Sequence, residues 1–231
     1  FNTQQQQQQQ SKGSQFPMKG EDLVKKYGKM LSQYEREEVA DHPDPIYYIN
    51  LNATRKGTGK YNRGQLNYLE ENAEKNAKAN GPLNHGFSNE HSDYLYEAKD
   101  QIAYRYEVQK KLGRGAFGVV VRCVDHKTKQ HVAVKILKNW KKLHKQGKIE
   151  IKILETLRDS DHEDTKNIVR IKDSFVFRSH VFIVFEMLSI NLYQFIKNND
   201  FQGFSIALTK RFSLQILEAL EYMNQFSIVH C

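Results

Sequence analysis

Three glycines in the stretch LGRGAFGVVV, residues 112–121, have the spacing of a loop that holds phosphate groups. Gly113, Gly115 and Gly118 carry no Cβ and tolerate unusual φ angles, so backbone amides can approach a phosphate closely. Two kinds of site use this spacing. One is a dinucleotide site in which the third glycine begins a helix. The other is a loop between two antiparallel strands that covers the phosphates of a nucleoside triphosphate.

The residues that follow Gly118 favour the second kind of site. The stretch VVVRCVD is typical of a strand, because valine is stiff at χ1 and suits extended backbone. A dinucleotide site also needs an acidic residue about 20 positions further on, and Lys138 stands there instead. The next predicted strand contains VAVK, which ends at Lys135. Glycine loop, Val120, strand and lysine together predict a loop that covers a triphosphate.

A lysine that grips phosphates needs an acidic partner on the following helix to hold it in place. Glu150 and Glu155 are the two candidates. Glu150 shares a helical face with Leu154 and Leu157, whereas Glu155 falls on the face predicted to be solvated. Because a carboxylate that faces a core needs a cation, we expect Glu150 to pair with Lys135.

The strand FIVFE, residues 182–186, runs into a connector where main-chain groups without a sheet partner could bind a purine. We expect the main chains of Glu186 and Leu188 to do this, with the side chain of Phe185 closing the back of the pocket. The expected apolar walls of the pocket are Leu112, Val120 and Ala133. Such residues would also belong to the core, since pocket walls are core residues with one open face.

Hydrophobic periodicity predicts the elements that must position these residues. Strands are predicted from Tyr104 onward and over VVVRCVD, HVAVKIL, NIVRIKDSFVF and HVFIVFE. Helices are predicted over 145–158, 192–197 and 208–224, the last with an apolar stripe formed by Phe212, Ile216, Leu220 and Met223. This order predicts an α+β fold, in which an antiparallel five-stranded sheet with one helix precedes a helical unit.

The first hundred residues have a different composition. The run Gln4–Gln10 lacks apolar side chains and is predicted to be disordered. One amphipathic helix is predicted over residues 21–39, with an apolar stripe formed by Leu23, Tyr27, Met30, Leu31 and Tyr34. A strand over 46–51 and a connector over 62–93, with a short helix near 66–78, are expected to follow.

The composition limits the class of protein. The two cysteines, Cys123 and Cys231, form no disulfide framework, which favours a reducing compartment. No run approaches the roughly 18 apolar residues of a membrane span, and no signal-peptide core lies near the start. We therefore expect a soluble intracellular protein, cytoplasmic and/or nuclear. Because the chain begins with Phe1 and FSIVHC would end within a strand, we also expect a piece of a longer protein.

Residues 104–231 resemble the N-terminal lobe and first helices of eukaryotic protein kinases, specifically the dual-specificity tyrosine-phosphorylation-regulated kinases. The resemblance is carried by AYRYEV, VFEMLSINLYQFIK, NDFQGFS and IVHC. That family has His-Cys-Asp where most kinases have His-Arg-Asp, and His230–Cys231 matches its first two residues. Upstream, LSQYEREEVADHPDPIYYINLNATRK is similar to the N-terminal accessory region of the class 2 members.

The resemblance implies a dual-specificity kinase that uses ATP and Mg²⁺. Such an enzyme phosphorylates Ser and Thr of protein substrates and a Tyr of its own activation loop. It also implies that Lys135 and Glu150 form the catalytic ion pair and that Glu186 and Leu188 form the hinge. The loop residues that would cover ATP are Gly113, Arg114, Gly115, Ala116, Phe117 and Gly118. Ala116 stands where members of the family often have Ser, a small change in a loop that acts through its backbone.

The resemblance further implies four regions and an inactive chain. We expect a disordered tail over 1–19, an accessory region and connector over 20–103 that packs on the kinase lobe, an N-terminal lobe over 104–186, and a hinge with the start of the C-terminal lobe over 187–231. The catalytic-loop Asp would come directly after Cys231. With that base, the Mg²⁺ ligands and the activation-loop Tyr outside these residues, the 231-residue chain alone is predicted to be inert.

Two other functions are compatible with parts of the sequence. A non-catalytic pseudokinase or scaffold would keep the same lobe without phosphoryl transfer. A nucleic-acid-binding protein would use the net charge of +8 and the run KNWKKLHKQGK. The second alternative is not favoured, because lysines on a connector and helix face are usually solvated and no recognition motif is present.

Overall fold

The computed structural model describes residues 16–54, 56–57 and 83–230. The glutamine run and the helix predicted near 66–78 lie outside these residues. The strands are β1 Gln101–Ile102, β2 Tyr106–Gly115, β3 Gly118–Asp125, β4 Gln130–Leu137, β5 Ile171–Phe177 and β6 His180–Glu186. The α-helices are α1 Gly20–Tyr27, α2 Gln33–Ala40, α3 Lys141–Ser160, α4 Leu192–Asn198 and α5 Ile206–Gln225.

The strands form one antiparallel sheet in the order β1-β2-β3-β4-β6-β5, which confirms the predicted α+β fold. The sheet has six strands where five were predicted, because β1 is too short for its two residues to show a period. The strand predicted from Tyr104 begins only at Tyr106. Ala103 and Tyr104 instead have φ values of 46° and 51°, which turn the chain between β1 and β2.

The two faces of the sheet are covered by different parts of the chain. On β6, Phe182 and Val184 belong to a buried cluster that includes residues of the first hundred, such as Leu23 and Tyr34. Val181 and Ile183, which point the other way, pack in a second cluster with Ile151 of α3 and other residues of the sheet. The sheet is therefore a middle layer, which explains why the apolar run of β6 is continuous rather than alternating.

The single helix predicted over 21–39 is wrong: the chain forms α1 and α2, joined by a turn of 3₁₀-helix over Gly28–Met30. The reason is a capping box. The Ser32 hydroxyl accepts from the Glu35 amide, and the Glu35 carboxylate accepts from the Ser32 amide, so a new helix begins there. Met30, expected on the apolar stripe, is 45% exposed.

The strand predicted over 46–51 is reduced to one β-bridge between Met18 and Ile46. The amides of Tyr47 and Tyr48 both donate to the Tyr104 carbonyl instead of to a neighbouring strand. Ile46 and Ile49 are buried in the core. The apolar pattern therefore reports packing of an irregular segment, not pairing in a sheet.

The helices near the end of the chain are longer than predicted, and α3 begins four residues before the expected position at 145. On the predicted stripe of α5, Ile216 and Leu220 are 52% and 44% exposed. Tyr222 is the buried residue of this helix, and its hydroxyl donates to the Leu157 carbonyl of α3 at 2.8 Å. Residues 226–228 form a turn on Met223 and Asn224, so the strand predicted for FSIVHC is wrong.

In the described residues, no α-helix combines the length and the apolar character that crossing a membrane would require.

Candidate functional site

Lys135 and Glu150 lie in contact beside the glycine loop. The Nζ atom of Lys135 donates to the Oε1 atom of Glu150 at 2.6 Å. Their side chains are 24% and 37% exposed, so the pair is open to solvent on one side. Glu155, the other acidic candidate on α3, is half-buried, and it is Glu150 that contacts the lysine.

Sheet register and a close helix contact bring this pair together. Lys135 is paired with Val120 of β3 and with Ile183 of β6, so its side chain shares the face covered by α3. Gly147 lets the helix approach that face. A Cβ at this position would lie 2.5 Å from the Leu137 Cδ1 atom, so a larger residue would require the Leu137 side chain to shift. Glycine at this position therefore leaves room for Leu137 between the helix and the sheet.

The glycine loop is the turn between β2 and β3. Gly113 is paired with Val120, and Gly115 with Gly118. Gly118 has a φ of +153°, and a Cβ there would lie 2.0 Å from the Ile136 carbonyl oxygen, so only glycine fits. At Gly113 and Gly115 a Cβ would meet no atom within 4 Å. The loop thus leaves open space beside its backbone.

A cavity of about 420 Å³ lies between the sheet and the connector that follows β6. This volume is in the range of small-ligand sites. The predicted site residues that line it are Leu112, Ala133, Phe185, Glu186 and Leu188. Ala133 and Phe185 are paired across β4 and β6, which places both side chains on one face. Val120 is not among the lining residues, although its register with Lys135 puts it on the same face.

The main chain of Glu186 differs from the expectation of a free edge. Its amide donates to the Arg170 carbonyl at 3.1 Å, and its carboxylate accepts from the Arg170 amide at 2.8 Å. Glu186 could therefore offer a purine only its carbonyl oxygen. Within the described part of the chain, none of the main-chain hydrogen bonds outside the helices and strands uses Leu188. The Leu188 amide and carbonyl thus remain open to a ligand.

Sequence reasoning missed several residues of this cavity, namely Val169, Met187, Ser189, Ile190, Asn191 and Gln194. Asn191 could have been found, because it is the N-cap of α4 and its side chain accepts from the Gln194 amide at 2.8 Å. Asn before an apolar helical run is a helix-start signal. Val169 has no such signal, since it lies just before β5 and reaches the cavity only through the fold.

The amino-acid sequence is similar to those of known proteins. A model of the protein kinase domain matches residues 106–231. The chain is 40% identical over 210 residues to dual specificity tyrosine-phosphorylation-regulated kinase 4 of Homo sapiens, covering 91% of this chain and 36% of that protein. It is 38% identical over 216 residues to dual specificity tyrosine-phosphorylation-regulated kinase 3 of Mus musculus, covering 94% and 33%.

A putative dual specificity tyrosine-phosphorylation-regulated kinase 3 homolog of Drosophila melanogaster is 41% identical over 205 residues, 89% of this chain and 22% of that protein. The chain therefore spans about a third or less of the length of these curated relatives. Because the domain model covers more than half of the chain and the relatives align along about nine-tenths of it, the chain belongs to the protein kinase family and resembles its dual-specificity tyrosine-phosphorylation-regulated members.

Proposed function

We propose that this chain contains the ATP-binding elements of a protein kinase. The protein that contains it would transfer the γ-phosphoryl group of ATP to Ser and Thr of protein substrates and to a Tyr of its own. The observation that carries the proposal is the 2.6 Å contact between Lys135 Nζ and Glu150 Oε1 beside an open glycine loop. An ammonium held by a carboxylate at this place can bind the α- and β-phosphates of a triphosphate.

The predicted site residues other than Val120 each have a role in this proposal. The backbone amides of residues 113–118 cover the phosphates, and Lys135 supplies a compact positive charge that Glu150 keeps in position. Leu112 and Ala133 contact the purine from two sides. The Glu186 carbonyl would accept from the purine and the Leu188 amide would donate to it, with Phe185 behind.

None of the described residues is proposed as a metal ligand. They contain no group of three or more His, Cys, Asp or Glu that could hold a metal ion. Mg²⁺ supplies charge neutralisation on the β- and γ-phosphates in this family. The resemblance puts its ligands and the catalytic-loop Asp after Cys231. We therefore propose that the 231-residue chain by itself binds ATP without transferring phosphate.

We also propose that residues 20–103 act as an accessory region that supports the lobe formed by residues 104–186, with residues 187–231 as the hinge and start of the next lobe. Support comes from a buried contact between the two parts. Glu38 of α2 accepts from the Arg178 guanidinium at 2.8 Å and from the Tyr104 hydroxyl at 2.5 Å. Arg178 occupies the turn between β5 and β6, so the contact joins α2 to that end of the sheet.

The proposal is tested with Lys135→Arg in the longer protein that includes residues after 231. Phosphoryl transfer from labelled ATP should fall at least about 100-fold, because a planar guanidinium replaces a compact ammonium at a site that acts by position and charge. Lys172→Arg is the matched control. Lys172 is exposed on β5 and bonds to Gln130, a contact that arginine can also make. Undiminished transfer by Lys135→Arg would contradict the proposal.

The same experiment separates the kinase from a pseudokinase or scaffold. An unsubstituted longer protein that binds ATP but transfers no phosphate to protein would support the non-catalytic alternative. A protein that neither binds nor transfers would refute the assignment of the cavity to ATP.

A further inference from the structure

A carboxylate from outside the sheet contacts the glycine loop. Asp93 accepts a hydrogen bond from the Arg114 guanidinium at 2.5 Å, and its other oxygen lies 3.6 Å from the Lys138 Nζ atom. Arg114 stands between Gly113 and Gly115, within the loop itself. Lys138 follows directly after β4, so its main chain belongs to the fixed end of the sheet. Asp93 therefore connects Arg114 in the glycine loop to Lys138 at the end of β4.

The segment that carries Asp93 is firmly built. The Asn89 side-chain oxygen accepts from the amides of His91 and Asp93 at 3.0 and 2.9 Å, which closes a tight turn. Ser88 and Tyr94 form a β-bridge at its base. The side chain of Asp93 is 11% exposed, so its orientation is fixed by surrounding atoms. The segment 88–94 is therefore a rigid support for its carboxylate.

The base of segment 88–94 is attached to the sheet at several points. The Ser88 hydroxyl lies 2.8 Å from His180 Nε2 of β6, and the Tyr94 ring packs on Phe182. The Asn139 amide donates to the Ser92 carbonyl at 2.9 Å. The segment is thus attached to β6 and to the chain after β4, not to the glycine loop.

The glycine loop has little other support at this position. Gly113 and Gly115 have no neighbouring atom within 4 Å of a Cβ position, and Phe117 is 56% exposed at the tip. The Lys138 amide donates to the Phe117 carbonyl at 3.0 Å, which fixes the strand on the β3 side only. On the β2 side, the Arg114 guanidinium connects the loop to the Asp93 carboxylate of segment 88–94. Without a carboxylate between them, Arg114 and Lys138 would also repel each other.

We propose that Asp93 is a positioning residue that tethers the glycine loop through Arg114 and Lys138, so that the accessory region sets how the loop lies over the bound nucleotide. The inference rests on the proposed function, since it assumes that the loop covers ATP. That the Asp93 carboxylate restricts opening of the β2–β3 turn does not depend on this assumption. Asp93 itself does not touch the substrate or the reacting atoms.

The test measures amide hydrogen exchange of residues 112–119 in Asp93→Asn and in the unsubstituted chain. Exchange should become about two- to fivefold faster in the variant, the size expected for an ion pair with one half-exposed partner. In the unsubstituted chain, 1 M NaCl should speed exchange of the loop toward the rate of the variant, because salt screens the pair. Asp93→Glu should restore most of the protection.

Three further variants make the result specific. Asp22→Asn removes the same charge from an exposed ion pair on α1 and should leave exchange of the loop unchanged. Arg114→Gln, at an exposed position, should reproduce the effect of Asp93→Asn without disturbing the fold, and the double variant should be no faster than either. Equal exchange of the β4 and β6 amides in all variants shows that the sheet is intact. Loop exchange that is unchanged in both Asp93→Asn and Arg114→Gln overturns the proposal.

ATP binding by calorimetry separates this inference from the proposed function. If the unsubstituted chain binds ATP, Asp93→Asn should weaken the affinity about two- to fivefold. Unchanged affinity would overturn the part of the proposal that concerns the nucleotide. An unsubstituted chain that binds no ATP would refute the proposed function, while the exchange rates would still decide whether Asp93 tethers the loop.

Discussion

Two ion pairs on opposite faces of the same sheet differ in almost every physical respect. Arg178 and Glu38 are 6% and 2% exposed, and their contact at 2.8 Å is reinforced by two further guanidinium–carboxylate hydrogen bonds. Lys135 and Glu150 are 24% and 37% exposed and share a single hydrogen bond. Both are short lysine or arginine contacts with glutamate, yet one is closed by protein and the other is open to a ligand.

Every side of the Arg178 guanidinium is occupied. It lies 3.9 Å from the centre of the Phe87 ring and 4.6 Å from that of Phe177. Burial alone would lower the pKa of Arg178, but the Glu38 carboxylate raises it well above the ordinary value. Burial, and after it the same carboxylate, raise the pKa of Tyr104 well above that of a free tyrosine. This cluster therefore holds α2 against the β5–β6 turn, with both charged groups enclosed by protein.

The comparison shows how to separate a structural pair from a site. An ion pair that is fully enclosed holds two elements together, and removing one partner leaves the other charge buried. The lysine of a half-exposed pair still has hydrogen-bond donors to offer, and its removal costs the fold little. The following predictions test that distinction.

The largest effect is expected for Arg178→Met. It leaves the Glu38 carboxylate buried with only the Tyr104 hydroxyl as a partner, so the free energy of unfolding should fall by about 3–5 kcal/mol. Urea unfolding measures this loss. Arg178→Met combined with Glu38→Gln should recover part of it, because no unpaired charge remains. Asp22→Asn, at an exposed pair, should stay within about 0.5 kcal/mol of the unsubstituted chain. A loss below about 1 kcal/mol for Arg178→Met would remove the distinction between the two pairs.

A smaller effect on stability is expected from a change of pH at His180, on the face of the sheet that is covered by residues of the first hundred. Its Nδ1 atom donates to the Leu137 carbonyl at 2.7 Å, and in the neutral ring Nε2 accepts from the Ser88 hydroxyl. Burial is the main cause that lowers the pKa of His180 to about 4, with nearby His144 lowering it further and Asp93 acting the other way.

The sign follows from this lowered pKa. Below pH 6.5, His180 binds a proton in the unfolded chain but not in the folded chain. Its contribution to the free energy of unfolding is therefore present above pH 6.5 and is lost as the pH falls toward 4. From pH 6.5 to 5 the loss should be about 1.5 kcal/mol, because the full slope of about 1.4 kcal/mol per pH unit is reached only well below the unfolded pKa. The measurement compares urea unfolding at several pH values with that of His180→Gln. Parallel pH profiles for the two proteins would contradict the assignment to His180.

The smallest effect on stability is expected at the pair in the cleft. Lys135→Met should change the free energy of unfolding by less than about 1 kcal/mol, because the Glu150 carboxylate that is left without its partner is accessible to water. ATP binding should nevertheless fall about 10- to 100-fold, since a charge-assisted contact to phosphate is lost. Urea unfolding and calorimetry on the same sample measure both quantities. Destabilisation comparable to that of Arg178→Met would show that the cleft pair is structural.

Much of the fold could be predicted from local pattern. The alternation in VVVRCVD and HVAVKIL locates β3 and β4 because strand period and burial coincide there. The predictions failed where a local signal was overruled. The Ser32–Glu35 capping box divided one periodic helix into two, and the apolar residues of 46–51 pack without pairing. A two-residue strand such as β1 carries no period to detect.

Some features of the candidate site could likewise be predicted from the sequence and others could not. The spacing predicted a glycine loop, Lys135 and Glu150 in one site, and the structure has Lys135 and Glu150 in contact beside that loop. The engaged amide of Glu186 was not foreseen, since its partner Arg170 lies 16 residues away on another segment. Asp93 gave no signal at all as a partner of the glycine loop.

The sequence by itself determined the inward-facing residues of β3 and β4 and the need for glycine at Gly118, since periodicity and the lack of a Cβ act within a few residues. Only the tertiary structure decided what each buried face packs against. Glu38 meets Arg178 across 140 positions, and Asp93 meets Arg114 across 21. Hydrophobic periodicity and secondary-structure propensity do not predict such partners. A contact between distant segments depends on how whole elements are placed and not on the local pattern of either one.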